Sequence, residues 1–247
     1  MNAIVFDLEL VKRFRKEQLS EIIEIGACKI QLATGAMLDE FQIYTLPKNG
    51  VFSKSTRSFI NMSEQDAQQA VPFADGIRQF AAWLGDDYYL CSWGTDDRVH
   101  LISQCVRDHI PLDWLRNYND IQRPIGKLLT GGGKNQLGLK NALALAGIEP
   151  TGKAHRGIDD ALNTAGLFVK FKDSIELQTN VLTEQDAREQ YKRLMAARAR
   201  RLEDAAKRAN GAASSSPRRR DHRPHSPSGS VGHTKSRSEQ PQQTDTP

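Results

Sequence analysis

At 247 residues, 38% hydrophobic and 26% charged, the chain can hold one α/β domain of ordinary size plus extensions. No apolar run approaches the ~20 residues of a membrane-spanning helix, which excludes such a span and any membrane partner that depends on one. Residues 210–247 contribute +3 of the net +4, so the rest of the chain is near neutral and the basic pI says little about its partner.

The N-terminal "MNAIVFDLEL" lacks a basic flank and a cleavage site and reads as structure rather than as a signal. Within it, "AIVFDLEL" (3–10) is a short apolar run with acids on alternate positions. This predicts a strand with one buried face and one face presenting Asp7 and Glu9 together, roughly 6–7 Å apart along the strand. A polar, basic loop, "VKRFRKEQLS", follows. "EIIEIGACKI" (21–30) and "MLDEFQIYTL" (37–46) read as strands joined by a hairpin-like "QLATGA" turn, implying two antiparallel neighbours for the first strand.

Ser63 with Asp66 three residues on is a capping signal that starts a helix. "PFADGIRQFAAWLG" spaces Phe73, Ile77, Phe80, Ala81 and Leu84 along one face and predicts a helix ending at Gly85. "DYYLCSW" (87–93) reads as a buried strand, and "DDRVHLISQCVRDH" continues as a helix with Val99, Ile102 and Val106 at helical spacing. "LGLKNALALAG" (137–147) is a helix closed by glycine. "IDDALNTAGLFVKF" is another, with Ile158, Ala161, Leu162, Ala165, Phe168 and Val169 on its apolar face. Residues 183–210 predict a long polar helix capped by Thr183, with Arg and Lys crowding its second half.

Three segments follow: a domain over 1–177, a basic C-terminal helix over 178–209, and a low-complexity tail over 210–247. The tail has almost no large apolar residue and cannot bury enough surface to offset its ordering entropy, so disorder is expected. Early strands followed by helices interleaved with later strands predict a mixed α/β sheet packed by helices. Cys28, Cys91 and Cys105 are widely spaced and suggest neither a disulfide nor a zinc site; buried, reduced thiols in a cytoplasmic protein are expected.

Four acids and a histidine stand at positions where α/β folds form ligand sites. Asp7 and Glu9 lie on the first strand, and Asp97 sits where a buried strand gives way to a helix. His155 precedes the last apolar helix, with Asp160 five positions later in "HRGIDDALNTAG". Hard oxygen ligands with no thiolate nearby suit Mg²⁺ or Mn²⁺ better than zinc. Taken singly, each piece is commonplace: a solvent-facing acid pair, a helix cap, a loop histidine. Their joint order carries the signal. Helix phase does not choose between Asp159 and Asp160, which lie at comparable angles on opposite sides of the apolar face.

The blocks "IVFDLEL", "EIIEIGACKI", "SWGTDDRVHLISQC", "QLGLKNALALAGI" and "HRGIDDALNTAGLF" resemble the DEDDh 3′–5′ exonucleases, and within them the Eri1/KapD-like exoribonuclease branch. The resemblance implies a ribonuclease H-like mixed sheet flanked by helices. It implies that Asp7, Glu9, Asp97 and Asp160 hold two Mg²⁺ or Mn²⁺ ions and that His155 is the general base. Asp97 is preferred to Asp96 by its spacing to Leu101, and Asp160 to Asp159 by its spacing to His155. The implied reaction releases nucleoside 5′-monophosphates stepwise from the 3′ end of single-stranded nucleic acid, RNA in preference to DNA.

The family often has Thr where this chain has Leu10, which bears on a substrate contact near the 3′ end. Lys12, Arg13, Arg15 and Lys16 could meet a phosphate backbone or be simply solvated. Phe14 and Trp93 are candidates to stack on a base, Trp93 also being a candidate for the core. Gly131–Gly133 lacks the signature of a phosphate loop and reads as a connection. The competing functions are a DNA exonuclease of proofreading or repair type, an inactive nucleic-acid-binding adaptor, and a chain whose basic helix and tail bind a partner.

Overall fold

β1 (Asn2–Leu10) runs through the middle of a six-stranded sheet. The computed structural model describes residues 1–11, 19–132 and 136–214, with side chains through residue 208. β1 is apolar at both parities and is therefore covered on both faces. Ile4, Phe6 and Leu8 enter one core with Phe73, Ile77, Phe80, Leu101 and Ile102. Ala3 and Val5 enter a second core with Ala142, Leu143, Ala165 and Phe168. The expectation of one buried and one open face is corrected accordingly: Asp7 and Glu9 continue the second face, beyond the point where its apolar residues end.

β2 (Ile22–Gln31) and β3 (Met37–Leu46) form a hairpin, and β4 (Val71–Pro72), β5 (Tyr88–Ser92) and β6 (Tyr118–Asp120) complete the order β4-β3-β2-β1-β5-β6. β1 pairs antiparallel with β2 and parallel with β5, from Asn2↔Tyr88 to Val5↔Cys91. The two antiparallel neighbours expected for β1 are thus one antiparallel and one parallel. The tight hairpin places β3 outside β2, and the chain reaches the other side of β1 only after β4 and the helices that flank it.

α1 (Lys54–Phe59), α2 (Glu64–Gln69), α3 (Phe73–Leu84) and α4 (Asp96–Arg107) come next in chain order around the central strands. α5 (Gln122–Thr130), α6 (Leu139–Ala146) and α7 (Gly157–Phe171) contribute to the second core, and α8 (Glu184–Ser214) ends the described chain. The capping box at Ser63 and Asp66 is formed, and α3 gives way at Gly85 as its periodicity indicates. Gly131 and Gly147 close α5 and α6 in the left-handed conformation that glycine adopts without strain.

The chain divides into two units, Met1–Ala205 and Ala206–Pro247. The boundary expected at 177 falls inside the first. Residues just beyond it clamp β6: the Asn117 N–H donates to the Asn180 carbonyl at 2.7 Å, and the Gln178 N–H donates to Asn119 Oδ1 at 2.7 Å. Thr183 Oγ1 accepts from the Asp186 N–H at 3.1 Å, at the start of α8. In the second unit the helix continues to Ser214, past the expected end at 210. The tail reading for 215–247 lies outside the described residues. Cys28, Cys91 and Cys105 are buried and free. Among the described residues no helix is long and apolar enough to cross a membrane.

Candidate active site

Three elements bring acids to the end of β1. Asp7 and Glu9 share one face of the strand, with Asp7 opposite Gly26 and Glu9 opposite Glu24 in the β1–β2 register. Asp97 lies in the first turn of α4, immediately after β5. β1–β5 pairing ends at Val5↔Cys91, and beyond it the Leu8 backbone hydrogen-bonds the Asp97 carboxylate. Asp160 lies in the first turn of α7. Ligand atoms of Glu9, His155 and Asp160 are all within 4.8 Å of one another.

α7 can press its first turn onto β2 because both surfaces lack side chains at the crossing. A Cβ on Gly26 would lie 2.1 Å from the Gly157 carbonyl carbon, and one on Gly157 would lie 3.4 Å from the Asp7 carbonyl oxygen. The two adjacent aspartates then separate by role. Asp160 turns toward Glu9, whereas Asp159 accepts the Lys153 N–H at 2.9 Å and holds the Gly152–Lys153 turn. Asp97 is half-buried and Asp96 is exposed.

His155 is exposed at the rim, with its backbone in the left-handed region at φ 61°. Three contacts fix it there. Its N–H donates to Asp160 Oδ2 at 2.9 Å. Asn61 Nδ2 donates to the Ala154 carbonyl at 3.2 Å. Phe59, the last residue of α1, stacks on the imidazole with ring centroids 4.6 Å apart and planes at 22°.

The acids repel one another in a setting with little water. Burial, then Asp97, Glu9, Asp160 and Glu24, hold the Asp7 carboxyl well above its ordinary range. Burial, then Glu24, Asp160 and Asp97, push Glu9 up to about 8. Burial and Asp96 push Asp97 up to about 7. Burial raises Asp160 as well, against the opposing hydrogen bond from His155. Such a cluster binds either protons or cations. Its donor set is hard oxygen with one imidazole, and beside it the buried Glu24 Oε2 accepts no hydrogen bond among the described residues. Both features fit divalent cations of the Mg²⁺ or Mn²⁺ type.

A pH dependence follows. In the metal-free protein Glu9 and Asp97 titrate above their unfolded values of 4.5 and 3.8. The folded state therefore keeps protons that the unfolded state has lost, and the stability this provides is lost as pH rises through the folded-state values. The melting temperature in EDTA is expected to fall between pH 5.5 and about pH 8. Saturating Mn²⁺ is expected to raise it most at the alkaline end. Calorimetry across that range checks both; a metal-free melt independent of pH contradicts the electrostatics.

Sequence reasoning missed Glu24 and Phe59. Glu24 sits inside "EIIEIGACKI", where an acid within a strand reads as solvent-facing, yet it is wholly buried. Its only signal was the neighbouring strand's acid pair. Of the proposed substrate contacts, Leu10 packs on the core of the opposite face from Asp7 and Glu9. Lys12, Arg13, Phe14, Arg15 and Lys16 lie outside the described residues. Trp93 packs against the second core and donates its indole N–H to the Leu137 carbonyl at 2.9 Å.

Residues 4–168 match the RNase T family model, described as exonuclease. The chain is 27% identical over 177 residues to ERI1 exoribonuclease 2 of Xenopus laevis, an alignment covering 62% of this chain and 25% of that protein. It is 27% identical over 150 residues to the probable 3′–5′ exonuclease KapD of Bacillus subtilis, covering 60% of this chain and 71% of KapD. The nuclease domain of 3′hExo, a DEDDh family member solved with rAMP, superposes with a TM-score of 0.64 at 23% identity, covering 74% of this chain and 97% of that one. The chain thus spans about a quarter of the Xenopus relative's length and shares its fold with the solved nuclease.

Proposed function

The chain belongs to the RNase T exonuclease family, and from that membership we propose that it is a metal-dependent 3′–5′ exonuclease. Its substrate is single-stranded nucleic acid, RNA in preference to DNA, and its products are nucleoside 5′-monophosphates. One observation carries this reading: the carboxylates of Asp7, Glu9, Asp97 and Asp160, from three separated stretches of sequence, gather at one sheet end in a mutually repelling cluster, with His155 beside Glu9 and Asp160 at its rim.

Asp7, Glu9, Asp97 and Asp160 are the residues that would hold two Mg²⁺ or Mn²⁺ ions. Bound there, the ions would supply a lowered pKa for the attacking water and charge neutralisation at the scissile phosphate. His155 takes the water's proton, a role suited to an imidazole nitrogen held beside the acids. Its exposure leaves the ring open to solvent and substrate, while Phe59 and the bond to Asp160 restrict its position. Burial of Glu9 and half-burial of Asp7, Asp97 and Asp160 limit competing water around the anionic groups.

The preference for RNA is supported by the name of the Xenopus relative, an exoribonuclease. The buried, unpaired cysteines support a reducing, cytoplasmic setting.

Digestion of 5′-labelled RNA and DNA oligonucleotides, single- and double-stranded, with Mg²⁺, Mn²⁺ or EDTA tests the proposal. A ladder shortening from the 3′ end, 5′-monophosphate products, abolition by EDTA and faster loss of single-stranded RNA are expected. Internal cuts or EDTA-resistant cleavage contradict the mechanism. Faster loss of DNA moves the substrate class.

A further inference from the structure

Glu24 is wholly buried, directly opposite Glu9 in the strand register, and outside the five residues given roles above. Its Oε1 accepts from Gln42 Nε2 at 2.7 Å and from the Ile158 N–H at 3.3 Å. Ile158 is in the first turn of α7, a helix whose own N-cap residue, Arg156, provides no side-chain cap. The Gly157 backbone also lies against the carboxylate: a Cβ there would be 3.3 Å from Glu24 Cδ. A residue on β2 therefore does for α7 what an N-cap side chain ordinarily does within the helix. A carboxylate suits this place because the helix start carries partial positive charge.

The same turn carries the site. Asp160 is two residues beyond Ile158, and His155, three residues before it, is tied to Asp160 by its N–H. Setting a carboxylate beside Glu9 is electrostatically unfavourable, and Glu24 is the first charged neighbour that raises Glu9. For folding alone, an apolar side chain of similar volume would avoid that repulsion. What it could not do is grip the first turn of α7.

We propose that Glu24 is a positioning residue that caps α7 from the neighbouring strand and thereby sets Asp160 and His155 against Glu9. The proposal rests on the metal-dependent reading of the site. It requires an acceptor oxygen at this position rather than a charge. Glu24→Gln keeps the acceptor, and Glu24→Leu removes it at similar volume.

The test measures Mn²⁺ affinity by electron paramagnetic resonance on the full chain, together with melting temperature, kcat and KM on a single-stranded oligonucleotide. Glu24→Leu is expected to weaken Mn²⁺ binding and lower kcat by ~10–100-fold, the range typical of groups that orient metal ligands, with KM within about twofold of the parent. Glu24→Gln is expected to restore both to within about threefold. A Glu24→Leu protein that melts earlier but binds Mn²⁺ as the parent does overturns the proposal, since its role is then structural only. So does a Glu24→Gln protein as impaired as Glu24→Leu. If Glu24→Leu does not fold, Gln42→Ala, which removes the amide holding Oε1, takes its place: about threefold weaker Mn²⁺ binding is expected, and unchanged binding overturns the proposal. A parent protein that loses Mn²⁺ on Glu24→Leu yet digests no oligonucleotide sinks the exonuclease reading and leaves the positioning role standing.

Discussion

His155→Ala is expected to lower kcat by ~10²–10⁴-fold, the usual contribution of a positioned general base, with Mn²⁺ affinity within about threefold of the parent. The imidazole occupies an ambiguous place. A ring nitrogen lies within 4.8 Å of carboxylate oxygens of both Glu9 and Asp160, close enough to act as a ligand. Yet the residue is exposed, stacked on Phe59 and held by its backbone, whereas Glu9 and Asp160 are more deeply placed acids. Measuring turnover and affinity together separates the two roles. A base loses turnover alone; a ligand loses both. Because the backbone at His155 is left-handed, His155→Asn is the companion variant, asparagine tolerating that conformation better than alanine. Parent-level turnover in both variants removes His155 from the mechanism.

Asp7→Asn is expected to abolish detectable digestion, a loss of ~10³-fold or more, because several kcal/mol of charge stabilisation at about 1.36 kcal/mol per decade is withdrawn. The same substitution is expected to stabilise the metal-free protein. Asp7 faces repulsion from Asp97, Glu9, Asp160 and Glu24 as well as the cost of burial, so removing its charge relieves every one of these. At pH 8 in EDTA its melting temperature is expected to rise by at least ~2–4 °C, the shift that about 1 kcal/mol produces in a domain of this size. The gain is expected to shrink as pH falls and the parent carboxyls take up protons. With saturating Mn²⁺ the order is expected to invert, the parent then being the more stable. An Asp7→Asn protein that melts below the parent in EDTA at pH 8 contradicts the picture of a strained anionic cluster.

Much of this arrangement was legible in the sequence. The alternation in "AIVFDLEL" places Asp7 and Glu9 on one strand face, and the chain order of the acidic blocks points to a shared site. Its limits are physical. Period-two alternation says which residues share a face but not what covers it, so the second core beneath α7 was not visible. The two aspartates opening α7 are equivalent by helix phase; they differ because one meets Glu9 and the other folds beneath Gly152, contacts set by tertiary packing. Short elements carry too few residues to show a period: α1, which supplies Phe59, and β6, clamped by Asn180, emerged only from the fold. Glu24 illustrates the same limit, since a buried acid and a solvated one look alike in sequence.

The central claim is that these side chains form a cage for divalent cations. Anomalous diffraction at the manganese edge, from crystals of the full chain soaked in Mn²⁺ near pH 8, tests it most directly. The account predicts density peaks bounded by the carboxylates of Asp7, Glu9, Asp97 and Asp160, and none in crystals of Asp7→Asn. Well-ordered crystals with no peak among those four groups, or with manganese held elsewhere, would contradict it.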